Sequence, residues 1–296
     1  MTADRWTQVV RHQLGLGRIL PLGLPRDGAW ITEDAAESAL RRETAAVHGV
    51  LLGALRIAPA DPEWTGTPAV PPPPSALPPG PLRVTAEFRA SADPTSQGVE
   101  PLPAVAARLR LTLATAATQR LGLDVAEVDL QVTDLLEEGD ASAARPADEA
   151  RKVSSAGPAD EVREASPDGP ADDVREASAD GPADDVREAS ADVPADGVRR
   201  APVPKDPEEA RIAATVLAVP GVTRLTGALG RPVHIETAPA PEPALPRRHI
   251  RVELAVSPDE RAVDVARAVR TAITRAAGDT PSVAVLVTAV SRDVHV

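Results

Sequence analysis

One pattern occurs twice in this chain of 296 residues, and it limits the folds open to it more than any other feature. Leu82-Arg83-Val84-Thr85-Ala86-Glu87-Phe88 recurs as Ile250-Arg251-Val252-Glu253-Leu254-Ala255-Val256, each at the same place in a matching series of elements. A helical Ala/Val/Leu/Arg pattern follows each run. Then comes a Val-rich strand, Val128-Asp129-Leu130-Gln131-Val132-Thr133 in one copy and Val283-Ala284-Val285-Leu286-Val287-Thr288 in the other. Before each lies a helix ending near a glycine, at Val47-His48-Gly49-Val50 and at Val219-Pro220-Gly221-Val222. Self-similarity of this kind signals repeated structural units. It predicts an α+β fold of two small domains, each a sheet with two helices packed on one face, joined by a disordered acidic linker.

The expected division is an amphipathic arm at 1–14, a first domain at 15–137, the linker at 138–205 and a shorter second domain at 206–293. The arm carries Trp6, Val9, Val10 and Leu14 on one side of a short helix and reads as folded onto the first domain. In that domain a hairpin around Gly23 and Gly28 leads to a helix capped by Thr32, with Ala36, Ala39, Leu40 and Val47 inward. A strand at 51–58 precedes a Pro-rich insertion at 59–81, whose Pro71-Pro72-Pro73-Pro74 run excludes a hydrogen-bonded element and predicts a stiff surface loop. The strand at 82–89 alternates apolar and polar residues, as a half-buried strand does. A helix at 103–121 with Val105, Leu109, Leu113 and Leu121 on one stripe, and a strand at 125–135, complete the unit.

In the second domain Asp206-Pro207-Glu208-Glu209 is a strong helix start. Strands at 232–237, 249–256 and 282–290 surround a helix at 259–276, and no clear leading strand precedes them. The predicted cores are Val84, Phe88, Leu109, Leu113 and Val132 in one domain, and Val252, Leu254, Val269, Ile273 and Val285 in the other. With one Phe, three Trp and no Tyr, both cores must be aliphatic.

Charge sits mainly in the linker. Residues 145–204 form five 12-residue units with 15 acidic and 8 basic residues, a net of −7 out of −12 for the chain. So few apolar residues cannot offset the entropy of ordering, which is why disorder is expected there. Acids at the wrong spacing exclude a calcium loop. The absence of cysteine excludes disulfides and thiolate metal sites. The polar opening Met1-Thr2-Ala3-Asp4 predicts no signal peptide, and no apolar run approaches the ~20 residues of a membrane span.

No residue constellation points to catalysis. Gly15-Leu16-Gly17 lacks the remainder of a dinucleotide or phosphate-loop motif. The histidines are scattered; His234 and His249 are neighbours across two strands, and a metal there needs Glu236 or Glu253 on the same face. No catalytic, cofactor-binding or metal residue is assigned, and no cofactor is expected. The net acidity and scarcity of strand aromatics argue against nucleic-acid binding.

The order of elements resembles the alkaline shock protein family of bacterial envelope stress response proteins. The second copy carries the clearer likeness, through Glu209-Ala210-Arg211-Ile212-Ala213, Val219-Pro220-Gly221-Val222, Ile250 to Val256, Val263-Asp264-Val265-Ala266-Arg267-Ala268-Val269 and Val283 to Val290. The first copy follows through Trp30-Ile31-Thr32, Val47-His48-Gly49-Val50, Leu82 to Phe88 and Val105 to Val132. The resemblance implies a tandem domain duplication with a non-enzymatic scaffold role. It also implies a cytoplasmic protein, peripheral at the inner face of the membrane through partners such as small membrane proteins or single-domain paralogues, with self-association as a further option. Two alternatives remain open at this point: a small metal-dependent hydrolase using His234 and His249, and a generic tandem-domain adaptor with no envelope role. The surfaces expected to meet partners are the exposed strand edges and the helix faces around Arg108 and Arg267.

Overall fold

A computed structural model describes residues 15–91, 100–136, 206–238 and 247–292. The expectations for the arm at 1–14 and for the linker at 138–205 fall on residues outside these. The first half runs β1 (Ile19–Leu22), a single 3-10 turn, β2 (Ala29–Thr32), α1 (Glu33–Thr44), β3 (Val50–Pro59), β4 (Leu82–Ser91), α2 (Leu102–Thr115) and β5 (Val125–Leu136). A π-helical turn at Ala116–Leu121 extends α2. The second half runs α3 (Pro207–Leu217), β6 (Val222–Leu225), β7 (Val233–Ala238), β8 (Arg247–Val256), α4 (Ala262–Ala277) and β9 (Ser282–Val290).

Local chemistry explains where the helices start. The Thr32 hydroxyl accepts from the Ala35 amide at the head of α1, and the Asp206 carboxylate accepts from the Glu208 amide at the head of α3. The helix expected at 103–121 is present but divides, because its last turn winds into the wider π form before Gly122 ends it in the left-handed region.

The strands form two sheets. One has three strands in the order β3-β4-β5, with β4 antiparallel to β3 and parallel to β5. The other has six, ordered β1-β2-β9-β8-β6, with β7 also pairing with β8. The expectation of a separate sheet for each half is therefore corrected. The hairpin β1–β2 belongs to the first half by sequence, yet β2 pairs in parallel with β9, Trp30 beside Leu286. The second copy has only the four-residue β6 as a leading strand, and the hairpin of the first half extends its sheet from the other side.

The expectation of two cores is corrected with it. A single buried cluster takes in Val84, Phe88, Leu109 and Leu113 together with Val252, Leu254, Val269, Ile273 and Val285. Helix α1 makes this close approach possible, since its buried positions include Ala35, Ala36 and Ala39, which take up little room. Polar pins reinforce the junction: the Arg42 guanidinium donates to the Val290 carbonyl at 2.9 Å, and Thr32 Oγ1 donates to the Thr288 carbonyl. Val132, expected in the core, is 40% exposed.

The Pro-rich insertion is more than a surface loop. Val70 within it is buried against Ile19, Trp30, Ala284 and Leu286 on the face of the six-stranded sheet away from the main core. The Leu77 amide donates to the Ile19 carbonyl at 2.8 Å, so the insertion also covers the outer edge of β1. A segment poor in backbone donors cannot propagate a sheet, which makes it a safe cover for an edge.

Candidate functional site

The sequence pointed to His234 and His249, and the β7–β8 ladder shows how they stand. His234 lies opposite Arg251 and Glu236 opposite His249, so the four share one face, and Glu253 follows Arg251 on the same side. The two histidines are thus diagonal neighbours rather than a facing pair. His234 Nε2 lies 3.5 Å from Glu236 Oε2. His249 is buried, shares a 2.8 Å hydrogen bond between its Nδ1 and Ser282 Oγ, and has its pKa lowered chiefly by that burial. Among the described residues no three His, Asp or Glu side chains converge as metal ligands. The donor set falls short of the three protein ligands that a catalytic zinc needs.

Glu253 is the residue on this face that pattern reading undervalued. It is completely buried, although the alternation of β8 marks it as a wet-face position. The turn between β6 and β7 folds over it. The Thr226 amide donates to its carbonyl, its own amide donates to the Pro232 carbonyl, and the Leu229 amide donates to Oε2 at 2.8 Å. Burial pushes its carboxyl up to about 7, against the opposing pull of the Leu229 and Ala228 amides and Arg251. Oε1 stands 3.7 Å from Arg251 Nε, and both atoms are buried without a hydrogen bond. Buried in this way, the carboxyl fastens the β6–β7 turn to β8.

On the helix faces expected to meet partners, Arg108 and Arg267 each bond within the chain while their side chains stay 42% and 40% exposed. Arg108 donates to the His48 carbonyl and pairs with Glu100 at 3.1 Å. Arg267 bonds Asp27 Oδ2 at 2.7 Å, which ties α4 to the turn between β1 and β2.

The strand edges differ sharply from one another. On β3, the Ile57 amide donates to Glu33 Oε1 and the Ile57 carbonyl accepts from Arg18, while Arg41 donates to the Leu52 and Gly53 carbonyls. These side chains take up backbone groups that an incoming strand would need. At the start of β5, Arg110 of α2 donates to the Val128 carbonyl. Beyond that point β5 changes character: residues 131–135 are all exposed, Val132 at 40% and Leu135 at 51%. Val132 pairs with Phe88 and Leu135 with Ala90, both fully buried, so the two lie on the core-facing side of the sheet where helical cover has run out. Thr133 is an extra residue in that ladder, since Phe88 pairs with Val132 and Arg89 with Asp134. β7, another sheet margin, has six residues and carries His234 and Glu236, two features that blunt an edge.

Among the described residues, no helix is long and apolar enough to cross a membrane. Comparison with protein-family models, with curated proteins and with solved structures finds no match for this chain.

Proposed function

We propose that this chain is a non-enzymatic interaction protein of the envelope-stress type, acting at the cytoplasmic side of the membrane through protein partners. The observation that carries the reading is the second half of β5. It is an exposed strand margin with apolar residues on one face, in a molecule that covers its β1 and β3 edges with its own side chains and insertion. A strand left open in this way is suited to strand addition, in which main-chain bonds supply affinity and alternate side chains supply selectivity. The envelope connection rests on the resemblance carried by the paired sequence patterns.

The role requires membrane association to run through protein. Purified protein is mixed with native bacterial membranes, with the same membranes after protease treatment, and with protein-free vesicles of the extracted lipids. Flotation with the native membranes alone is the expected result. Equal flotation with the protein-free vesicles would replace the partner model with direct lipid binding, and no flotation in any arm would remove the envelope role.

A further inference from the structure

We propose that the second half of β5 is a self-pairing edge, through which two copies of the chain join antiparallel across a two-fold axis at Val132 and merge their three-stranded sheets. This deepens the interaction reading above, on which it rests, by naming a second copy of this chain as the protein that adds its strand to the open margin, so that a membrane-side partner meets the dimer elsewhere than at β5.

The argument is one of register. Placing Val132 opposite its own symmetry mate, and letting Thr133 remain the extra residue it already is against β4, sets Gln131 opposite Asp134. The next pairs are Leu130 with Leu135 and Asp129 with Leu136. Leu130 and Leu135 belong to the same face, because their partners on β4 are Ala86 and Ala90, both buried. Val132 meets Val132 on that face too. The pairing therefore joins apolar to apolar on the core-facing side, sets Gln131 against Asp134 and Asp129 against Leu136 on the other, and places no two acids opposite each other from Asp129 to Leu136. A strand carrying several acids usually repels a copy of itself; this one avoids it through the position of one bulge.

Symmetry supplies the second part. A two-fold contact uses the same patch on both copies and closes on itself, so the open margin is consumed without leaving a new one to propagate. Joining β5 to β3 of another copy would instead continue indefinitely, and β3 is capped by Glu33, Arg18 and Arg41. The exposed Val132 and Leu135 then gain cover from the partner's equivalent residues, which removes apolar surface from water.

The lack of cysteine in the chain makes the test direct. Residues opposite each other in an antiparallel pair have Cα atoms about 4.5–5.5 Å apart, inside the range a disulfide bridges. Val132→Cys in the full chain should form a covalent dimer on mild oxidation. Leu111→Cys, on the exposed face of α2 at 68% exposure, should not. Sedimentation of the unmodified protein at about 100 μM should show a dimer, a level that saturates a micromolar interaction. Val132→Lys, which sets two ammonium groups at the axis, should raise the dissociation constant at least tenfold while its melting temperature when dilute stays that of the wild type. A monomeric wild type, a dimer in which Val132→Cys does not crosslink, or equal crosslinking of the two cysteine variants would each overturn the proposal. The failures are separable: a monomer that still floats with native membranes removes self-pairing alone, whereas a crosslinked dimer that floats with none removes the envelope role alone.

Discussion

At the scale of single residues, two carboxylates hold loops and respond to pH in opposite senses. Glu253 keeps its proton up to about 7 because it is buried, against an ordinary value of 4.5. In that interval the folded chain holds a proton that the unfolded chain has released. The contribution of Glu253 to stability is therefore greatest below pH 4.5 and falls as pH rises toward 7, by roughly 3 kcal/mol at 1.36 kcal/mol per pKa unit. Glu253→Gln keeps an acceptor for the Leu229 amide and removes the titration. Urea unfolding of the two proteins should show the variant gaining on the wild type between pH 4.5 and 7 and level above that; a pH-independent gap would remove this account. Asp27 behaves in reverse. Burial raises its pKa, but Arg267 and the Leu24 amide outweigh this and hold it below the usual carboxylate range, so its stabilising effect is present at neutral pH and fades in acid. Asp27→Asn leaves the Arg267 guanidinium without its charged partner and should cost about 1–3 kcal/mol at pH 7, read from the urea midpoint.

At the scale of elements, what surrounds a helix end decides how tolerant it is. Gly122 closes the π-helical turn at φ 91°, and an added Cβ would clash with the Val263 side chain. Gly278 closes α4 at φ 73° with nothing within 4 Å. Gly278→Ala should cost about 1–2 kcal/mol of backbone strain. Gly122→Ala should cost a further 1–3 kcal/mol or so, because Val263 comes from the other half of the chain and is itself packed in the core. Comparable costs for the two would mean that the junction yields freely. The elements themselves were largely legible, because period-2 and period-3.6 patterns and capping residues are local signals: the strand expected at 125–135 is Val125–Leu136, and Asp206 caps α3 as expected. Three features were not legible. Which strand β2 pairs with depends on β9, far along the chain. Whether Glu253 is wet depends on a loop that folds over it, and whether Val132 is covered depends on where α2 ends.

At the scale of the whole molecule, the two halves share the six-stranded sheet and the main core, so neither carries a core of its own. Expressed alone, residues 206–296 would expose the side of β9 that β2 covers and should lack a cooperative thermal transition. Co-expressed with residues 1–136, the same fragment should regain one, as circular dichroism would record. A sharp transition in the isolated fragment would restore two independent domains. The β2–β9 pairing also has a consequence in time. Thr32 and Thr288 are bonded across 256 positions of sequence. A ribosome adding about 5–20 residues per second leaves β2 waiting some 13–50 seconds for the strand it must join. During that interval Ile31 and Leu20 have no finished core to enter, and the nascent chain is exposed to aggregation until β9 has been made.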